Sequence, residues 1–405
     1  MAGTPLWQDD RLRPRSALSG TIRPEVCIIG AGIAGLSAAW HLAQRGIACA
    51  IVEQGAAGDG ASGRNGGFLA PGSAVGYVEA QARYGHDVAR RTHEATREAL
   101  ASITALHERA GLANELCTTG CLTVAWAEGE KSGLLRELAA LRADGFPAAL
   151  VAEHEVPAPV RGRDRVGIFE PDAATTHPWR WIRGFADLCE RAGVAIYEGT
   201  PVAAPVSGTR FAAGTGSIDA GAVIVASDAA LARLVPEFAH LLQAKRLHII
   251  GTEPAPAGAI PIPMGYRHGY EYVQQRPDGR IVIGGFSDHD GEDGAASLTV
   301  EDTADPAVHA LIERHLRDDL GVAARVTHRW TGMVGYSHDA RPIAGAVPGR
   351  EGVFGAGGYN GSGALNGFVA GRIVAELVGD GRSADAALYD SSRQPAARLL
   401  PGGLL

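Results

Sequence analysis

The sequence predicts an α/β fold, and three observations predict it. Val26-Cys27-Ile28-Ile29 is a short apolar run of the kind buried in a parallel sheet, and it leads directly into Gly30-Ala31-Gly32-Ile33-Ala34-Gly35 and a helix reaching roughly Arg45. A second apolar run, Ala48-Cys49-Ala50-Ile51-Val52, ends at the acid Glu53. Far along the chain, Val353-Phe354-Gly355-Ala356 reads as another buried strand, followed by the glycines of Gly357 to Gly363 and a helix from about Ala364 to Val378, ended by Gly379.

Strand, glycine turn, helix, second strand and terminal acid together form a device for the adenosine half of a dinucleotide. Gly30 permits the tight turn, Gly32 lets the backbone approach a pyrophosphate, and Gly35 lets the helix pack closely on the strand. The helix start, with Ile33 and Ala34, offers N–H groups and a positive dipole end to two phosphates. Glu53, with Gln54 behind it, is placed to accept hydrogen bonds from ribose hydroxyls, and an acid there repels the extra phosphate of NADP. The segment Gly58 to Phe68 is a second flexible polar run where an NAD enzyme continues into helix and strand. Ser62, Arg64, Asn65, Gly66 and Gly67 can lay backbone along an extended cofactor there, with Arg64 directed towards its far end.

Between these ends, Tyr77 to about Ala110 reads as one long amphipathic helix, Leu116 to Ala127 as strand, Glu130 to Ala143 as helix, and Pro178 to Ala192 as a helix ahead of Val194-Ala195-Ile196-Tyr197. The polar N-terminal arm and the loop Asp288 to Ser297 are the low-complexity parts. At 405 residues the chain is long enough for two domains. Its 37 basic and 45 acidic residues leave a net charge of −8 without a basic block, which argues against nucleic acid or an anionic membrane as partner. No apolar run has transmembrane length and no signal-peptide pattern opens the chain, so a cytoplasmic protein is expected. The five cysteines and 14 histidines show no disulfide framework and no metal-ligand spacing, so no metal is expected.

The phrase Gly60-Ala61-Ser62-Gly63-Arg64-Asn65-Gly66-Gly67-Phe68 behind the glycine turn and Glu53 resembles the D-amino-acid oxidase/glycine oxidase superfamily of FAD enzymes, most closely its γ-glutamylputrescine oxidoreductase branch. Further stretches share the resemblance: Leu18 to Glu25, Gly167 to Asp172 with His177-Pro178, Ala222 to Ser227, Thr252-Glu253-Pro254, Asp278 to Gly285, Trp330-Thr331-Gly332 through Asp339 to Gly345, and Gly357 to Gly363. The resemblance implies a Rossmann-like FAD-binding domain of the glutathione-reductase type, from residues 1–80, 161–244 and 326–405. Interleaved with it is a smaller α+β substrate domain on a mixed or antiparallel sheet, from residues 81–160 and 245–325, with Gly167 to Asp172 re-entering the FAD domain. It also implies oxidation of an amine or amino acid at its C–N bond by hydride transfer to flavin N5, hydrolysis of the imine, and oxygen as electron acceptor. A quinone or carrier as acceptor, a non-catalytic flavin-binding subunit and an NAD dehydrogenase are the alternatives.

The resemblance places Val202 at the adenine and Ser227, Gly332, Arg341, Gly358, Tyr359, Asn360, Gly361, Ser362 and Gly363 at the cofactor. A helix start behind the late glycines suits the negative charge near N1 and O2 of reduced flavin. Relatives with a covalent flavin carry Cys where this chain has Gly332, or His where it has Arg64, so dissociable FAD is expected. Tyr272 and Arg64 are the catalytic candidates. Tyr270 and Tyr272 are expected on one face of a strand, with Tyr272 lining the substrate cavity, while Arg64 lies against the flavin. Arg267, Arg276 and Arg341 are alternatives for anchoring a substrate carboxylate, and Lys245 is read as a surface or strand-end residue.

Overall fold

The computed structural model describes residues 3–9, 13–127, 129–162, 165–203, 205–289 and 304–393. Most of the expected loop at Asp288–Ser297, from 290 onward, lies outside the described residues. Four apolar runs, Cys49–Val52, Val26–Ile29, Ala222–Val225 and Val353–Gly357, pair in parallel, with Ala195–Tyr197 parallel on one edge and Ile343–Ala346 antiparallel on the other. All four inner strands are buried almost throughout, as continuous apolar sequence requires when both sheet faces are covered. On one face, the helices Ile33–Ala43 and Gly363–Asp380 pack together. A Cβ on Gly371 would stand 2.3 Å from the Ala34 carbonyl oxygen, so the two backbones touch only because that residue is glycine. The late helix continues through Gly379 and ends at Gly381, whose φ of +69° supplies the left-handed cap.

A second, eight-stranded sheet runs in the order Val326–Ser337, Leu242–Pro254, Arg280–Gly285, Glu271–Gln275, Met264–Tyr266, Cys121–Val124, Gly167–Glu170, Ala149–Val151. All its pairs are antiparallel except Met264–Tyr266 with Cys121–Val124. Its outer face is sealed by Leu122, Met264, Tyr266, Val273 and Ile283 against Val308 and Ile312 of the helix Pro306–Arg314.

Several expectations change. Gly167–Glu170 pairs inside this sheet and does not re-enter the other one; the return comes with the helix Pro178–Arg191. The whole of Val326–Ser337 also pairs in this sheet, along Leu242–Pro254. The expected single helix from Tyr77 is two, Tyr77–Tyr84 and His86–Arg109, broken at Gly85 with φ +85°. The strand read across Leu116–Ala127 is likewise two strands in different sheets, Leu116–Cys117 and Cys121–Val124, separated by the left-handed Gly120. Both breaks have one cause: a single glycine at positive φ interrupts an otherwise regular pattern.

Candidate functional site

A cavity of about 1930 Å³ runs from the first glycine turn to the inner face of the eight-stranded sheet. At its nucleotide end Gly30 adopts φ +108° and donates to the Val52 carbonyl at 2.9 Å, and a Cβ there would lie 2.5 Å from the Ala226 carbonyl oxygen. The half-buried Glu53 carboxylate accepts Ala31 N–H at 2.8 Å on one oxygen and Gly55 N–H at 2.9 Å on the other, which leaves each oxygen a lone pair for a hydroxyl. Burial raises its ionisation point, and the two backbone donors oppose that rise. Ile33 N–H, expected to face a phosphate, already donates to Ser62 Oγ at 3.0 Å. Ser62 thus ties the second polar run to the helix start. Val202, in the loop after Ala195–Tyr197, lines the same end with Gln54 and Ala34.

The late glycine cluster reaches the same cavity. Tyr359, Asn360, Gly361, Ser362 and Gly363 all line it, and Asn360 holds φ +51° by exchanging hydrogen bonds with Ser337 through both amide atoms. The residue that holds this cluster against the sheet escaped the sequence reading. Asp228, itself at φ +43°, accepts Gly358 N–H at 3.0 Å on Oδ1 and Gly335 N–H at 2.9 Å on Oδ2. One carboxylate therefore clamps the glycine turn to Val326–Ser337. Burial pushes it up to about 6 against the pull of its backbone donors. An acid immediately after the buried run Ala222–Ser227 was the available signal.

Strand register builds the opposite wall. Gly332 pairs with Leu247, Trp330 with Ile249, Ile249 with Gly284, Gly284 with Tyr272, Tyr272 with Gly265, Gly265 with Thr123, and Cys121 with Glu170. Paired residues and their i±2 neighbours share a face, and Gly332, Leu247, Ile249, Tyr272, Gly265, Thr123, Cys121 and Glu170 line the cavity from it. The Tyr272 ring lies in a slot between two glycines: a Cβ on Gly66 would come within 2.3 Å of its Cε2, and one on Gly284 within 2.3 Å of its hydroxyl. Phe68 meets the ring edge-on at 5.5 Å between centroids, and burial raises the phenol above its usual range. Gln274, on the same face, donates to the Gly66 carbonyl.

Tyr270 is not on that strand face; it sits in helical conformation just before the strand, although it also lines the cavity. Glu170 lines the far end of the wall, and its carboxyl is pushed up to about 7 by burial and by Glu137 and Asp172.

The charged candidates fall in unexpected places. Arg64 lines the cavity, but its Nε donates to the Thr331 carbonyl at 2.9 Å and Nη2 to the Gly3 carbonyl at 3.0 Å, so the guanidinium ties the chain start to the sheet. Arg267 is engaged by Glu271 and Asp288. Arg341 does not line the cavity. It donates to the carbonyls of Ala387 and Leu388, against its expected place at the cofactor. Gly35, Gly67 and Gly358 do not line the cavity: Gly35 sits at the close helix–strand packing expected of it, and Gly67 and Gly358 pack against neighbouring chain. A Cβ would lie 1.9 Å from the Gly30 carbonyl at Gly35, 2.4 Å from the Thr176 carbonyl at Gly67, and 2.5 Å from Leu242 Cδ2 at Gly358. Lys245 is half-buried near the start of its strand. It shares the Leu247 face, with Nζ 4.7 Å over the Tyr336 ring, and burial lowers its ionisation point.

The lining fits a flavin adenine dinucleotide. The volume is roughly twice the upper end of ordinary ligand pockets, which span about 300–1,000 Å³. Ser227, which lines the cavity, has a buried Oγ with no hydrogen-bond partner among the described residues. Gly332 presents bare backbone, with nothing nearer than 3.9 Å to a Cβ placed there.

The model of the FAD dependent oxidoreductase (DAO) family matches residues 25–377. The probable oxidoreductase OrdL of Rhizobium meliloti (strain 1021) is 27% identical over 404 residues, covering 95% of this chain and 89% of that protein. The γ-glutamylputrescine oxidoreductase of Escherichia coli (strain K12) is 25% identical over 414 residues, covering 97% and 92%. Among solved structures, glycine oxidase from Geobacillus kaustophilus superposes with a TM-score of 0.76 at 23% identity, over 92% of this chain and all of that one.

Proposed function

The chain belongs to the FAD dependent oxidoreductase (DAO) family, and we propose that it oxidises the C–N bond of a primary or secondary amine or amino acid. The observation that carries this reading is the single cavity shared by the two glycine turns and the sheet face of Gly332, Leu247, Tyr272, Gly265 and Thr123. Bound FAD supplies a hydride acceptor at N5 for the C–H beside a neutral amine and delivers the electrons to oxygen, forming peroxide.

The chain's own part is binding, orientation and exclusion of water. Gly30, Gly32, Ala34, Glu53, Gln54, Ser62, Asn65, Gly66, Val202 and Ser227 would hold the nucleotide half, and Gly332 with residues 359–363 the flavin half. Neither Gly332 nor Arg64 offers a thiol or imidazole, so the flavin is held without a covalent bond. Tyr272, Leu247 and Ile249 form the apolar wall against which substrate is set, and the Tyr272 hydroxyl can orient a polar group on it. The product imine hydrolyses in water. Related proteins support an amino substrate by their names, γ-glutamylputrescine oxidoreductase and glycine oxidase.

The test is an anaerobic panel of primary amines, secondary amines and α-amino acids mixed with the purified holoenzyme. Bleaching of the flavin band by at least one member is expected, with one peroxide per turnover once air is admitted. Absence of bleaching across the panel overturns the reading, and bleaching without peroxide overturns oxygen as the acceptor.

A further inference from the structure

A second cavity, of about 380 Å³, shares no lining residue with the first. It is enclosed by the N-terminal Trp7, Glu115, the start of the helix Pro178–Arg191, and the hairpin turn that carries Arg276. Arg276 is only 7% exposed. Its Nη2 donates to Glu115 Oε2 at 3.0 Å and its guanidinium lies 5.4 Å over the Trp7 ring, yet Nη1 is buried without an acceptor among the described residues. An aromatic face attracts the cation but does not replace an oxygen lone pair. Glu115, moreover, is shared: its other oxygen accepts from Arg180. Two guanidinium groups divide one carboxylate, and over the whole lining Arg180, Arg276 and Arg280 face Glu115 and Asp278, an excess of one positive unit.

We propose that this cavity is a binding site for a small oxyanion, a carboxylate or a phosphate, with one oxygen accepting from Arg276 Nη1. Guanidinium suits either ligand, because its planar N–H pairs match both oxygen geometries. The site adjoins the cofactor segment through two hydrogen bonds. Trp7 Nε1 donates to the Asn65 carbonyl at 2.8 Å, and Gln274, two residues before Arg276, donates to the Gly66 carbonyl. Asn65 and Gly66 line the main cavity, so an anion that fixes Trp7 and Arg276 also fixes that segment.

Titration calorimetry of the holoenzyme with inorganic phosphate and, separately, with acetate at low ionic strength tests the site. Saturable binding of one or both is expected, and the preferred probe identifies the class. Arg276→Gln should weaken it at least tenfold, with Arg276→Lys falling between, because it keeps charge but loses the second N–H pair. Equal affinity in folded Arg276→Gln, or no saturable binding by either probe, overturns the proposal. Should Arg276→Gln fail to fold, crystals of the unaltered holoenzyme soaked in phosphate and in acetate decide: an anion within hydrogen-bond distance of Arg276 Nη1 supports the site, and none at that atom overturns it.

Discussion

At one end of the main cavity, Gly30, Gly32 and Glu53 come from one unbroken stretch of chain, and backbone shape does the work: a left-handed glycine, a bare approach and a carboxylate held by two N–H groups. At the other end, Gly332, Leu247, Tyr272, Gly265, Thr123 and Glu170 come from six strands brought into register across the sheet. The first construction is tightest at Gly30, where an added Cβ would meet the Ala226 backbone carbonyl at 2.5 Å. The second is made of side chains that can move, so damage there should reach chemistry before it reaches the fold.

Gly35→Val gives the largest separation of the two. Its Cβ would overlap the Gly30 carbonyl at 1.9 Å, and neither strand nor helix can yield without opening the buried sheet. A loss of more than about 3 kcal/mol is expected, read as a fall in Tm together with loss of bound flavin absorbance. A fully yellow variant with unchanged Tm breaks the claim that this end is set by backbone contact.

That asymmetry also decides what the sequence could reveal. The nucleotide end was legible because strand, turn, helix and acid are neighbours in the chain, and the spacing itself encodes the geometry. Tyr272 was legible as a candidate, but its slot between Gly66 and Gly284 was not, since no local pattern links residues from such distant parts of the chain. Asp228 was missed for the same reason: its two acceptors serve Gly335 and Gly358, which only the fold brings within reach. Arg341 was misplaced because a motif position gives no direction to a long side chain.

Glu53→Gln sharpens the comparison at the nucleotide end. An amide can accept only one of the N–H groups of Ala31 and Gly55 and sets its own NH₂ against the other, a loss of about 1–3 kcal/mol. Flavin affinity should fall roughly tenfold or more, measured by titrating FAD into the apoprotein. Unchanged affinity would mean that the carboxylate does not serve the ribose.

At the sheet wall, Tyr272→Ala removes the ring from its slot and should lower kcat/KM about tenfold, with FAD affinity within about twofold of the original. If flavin affinity falls as far as it does in Glu53→Gln, the wall is part of the cofactor site and the division between the two ends fails. Glu170→Gln is a smaller change with a defined pH signature. The Glu170 carboxyl, raised to about 7, is neutral below that pH and charged above it. Attraction for a protonated amine therefore strengthens as pH rises through 7, and 1/KM should climb by about two- to fivefold in that interval. The glutamine variant should lose this inflection, and its persistence would assign it to another group.

Arg341→Met is the mildest test, and it separates a motif position from a cofactor contact. The guanidinium spans from the turn after Val326–Ser337 to the carbonyls of Ala387 and Leu388, and its ring neighbour is Tyr84 at 5.4 Å. Its removal unpins a surface-side connection. A loss of roughly 1–2 kcal/mol is expected, since each charged hydrogen bond contributes modestly where water can replace it. Flavin affinity should be unchanged, because no part of Arg341 lines the cavity. Weakened FAD binding with Tm intact would show that the side chain reaches the cofactor in the loaded protein, and that a residue outside both constructions belongs to the nucleotide end after all.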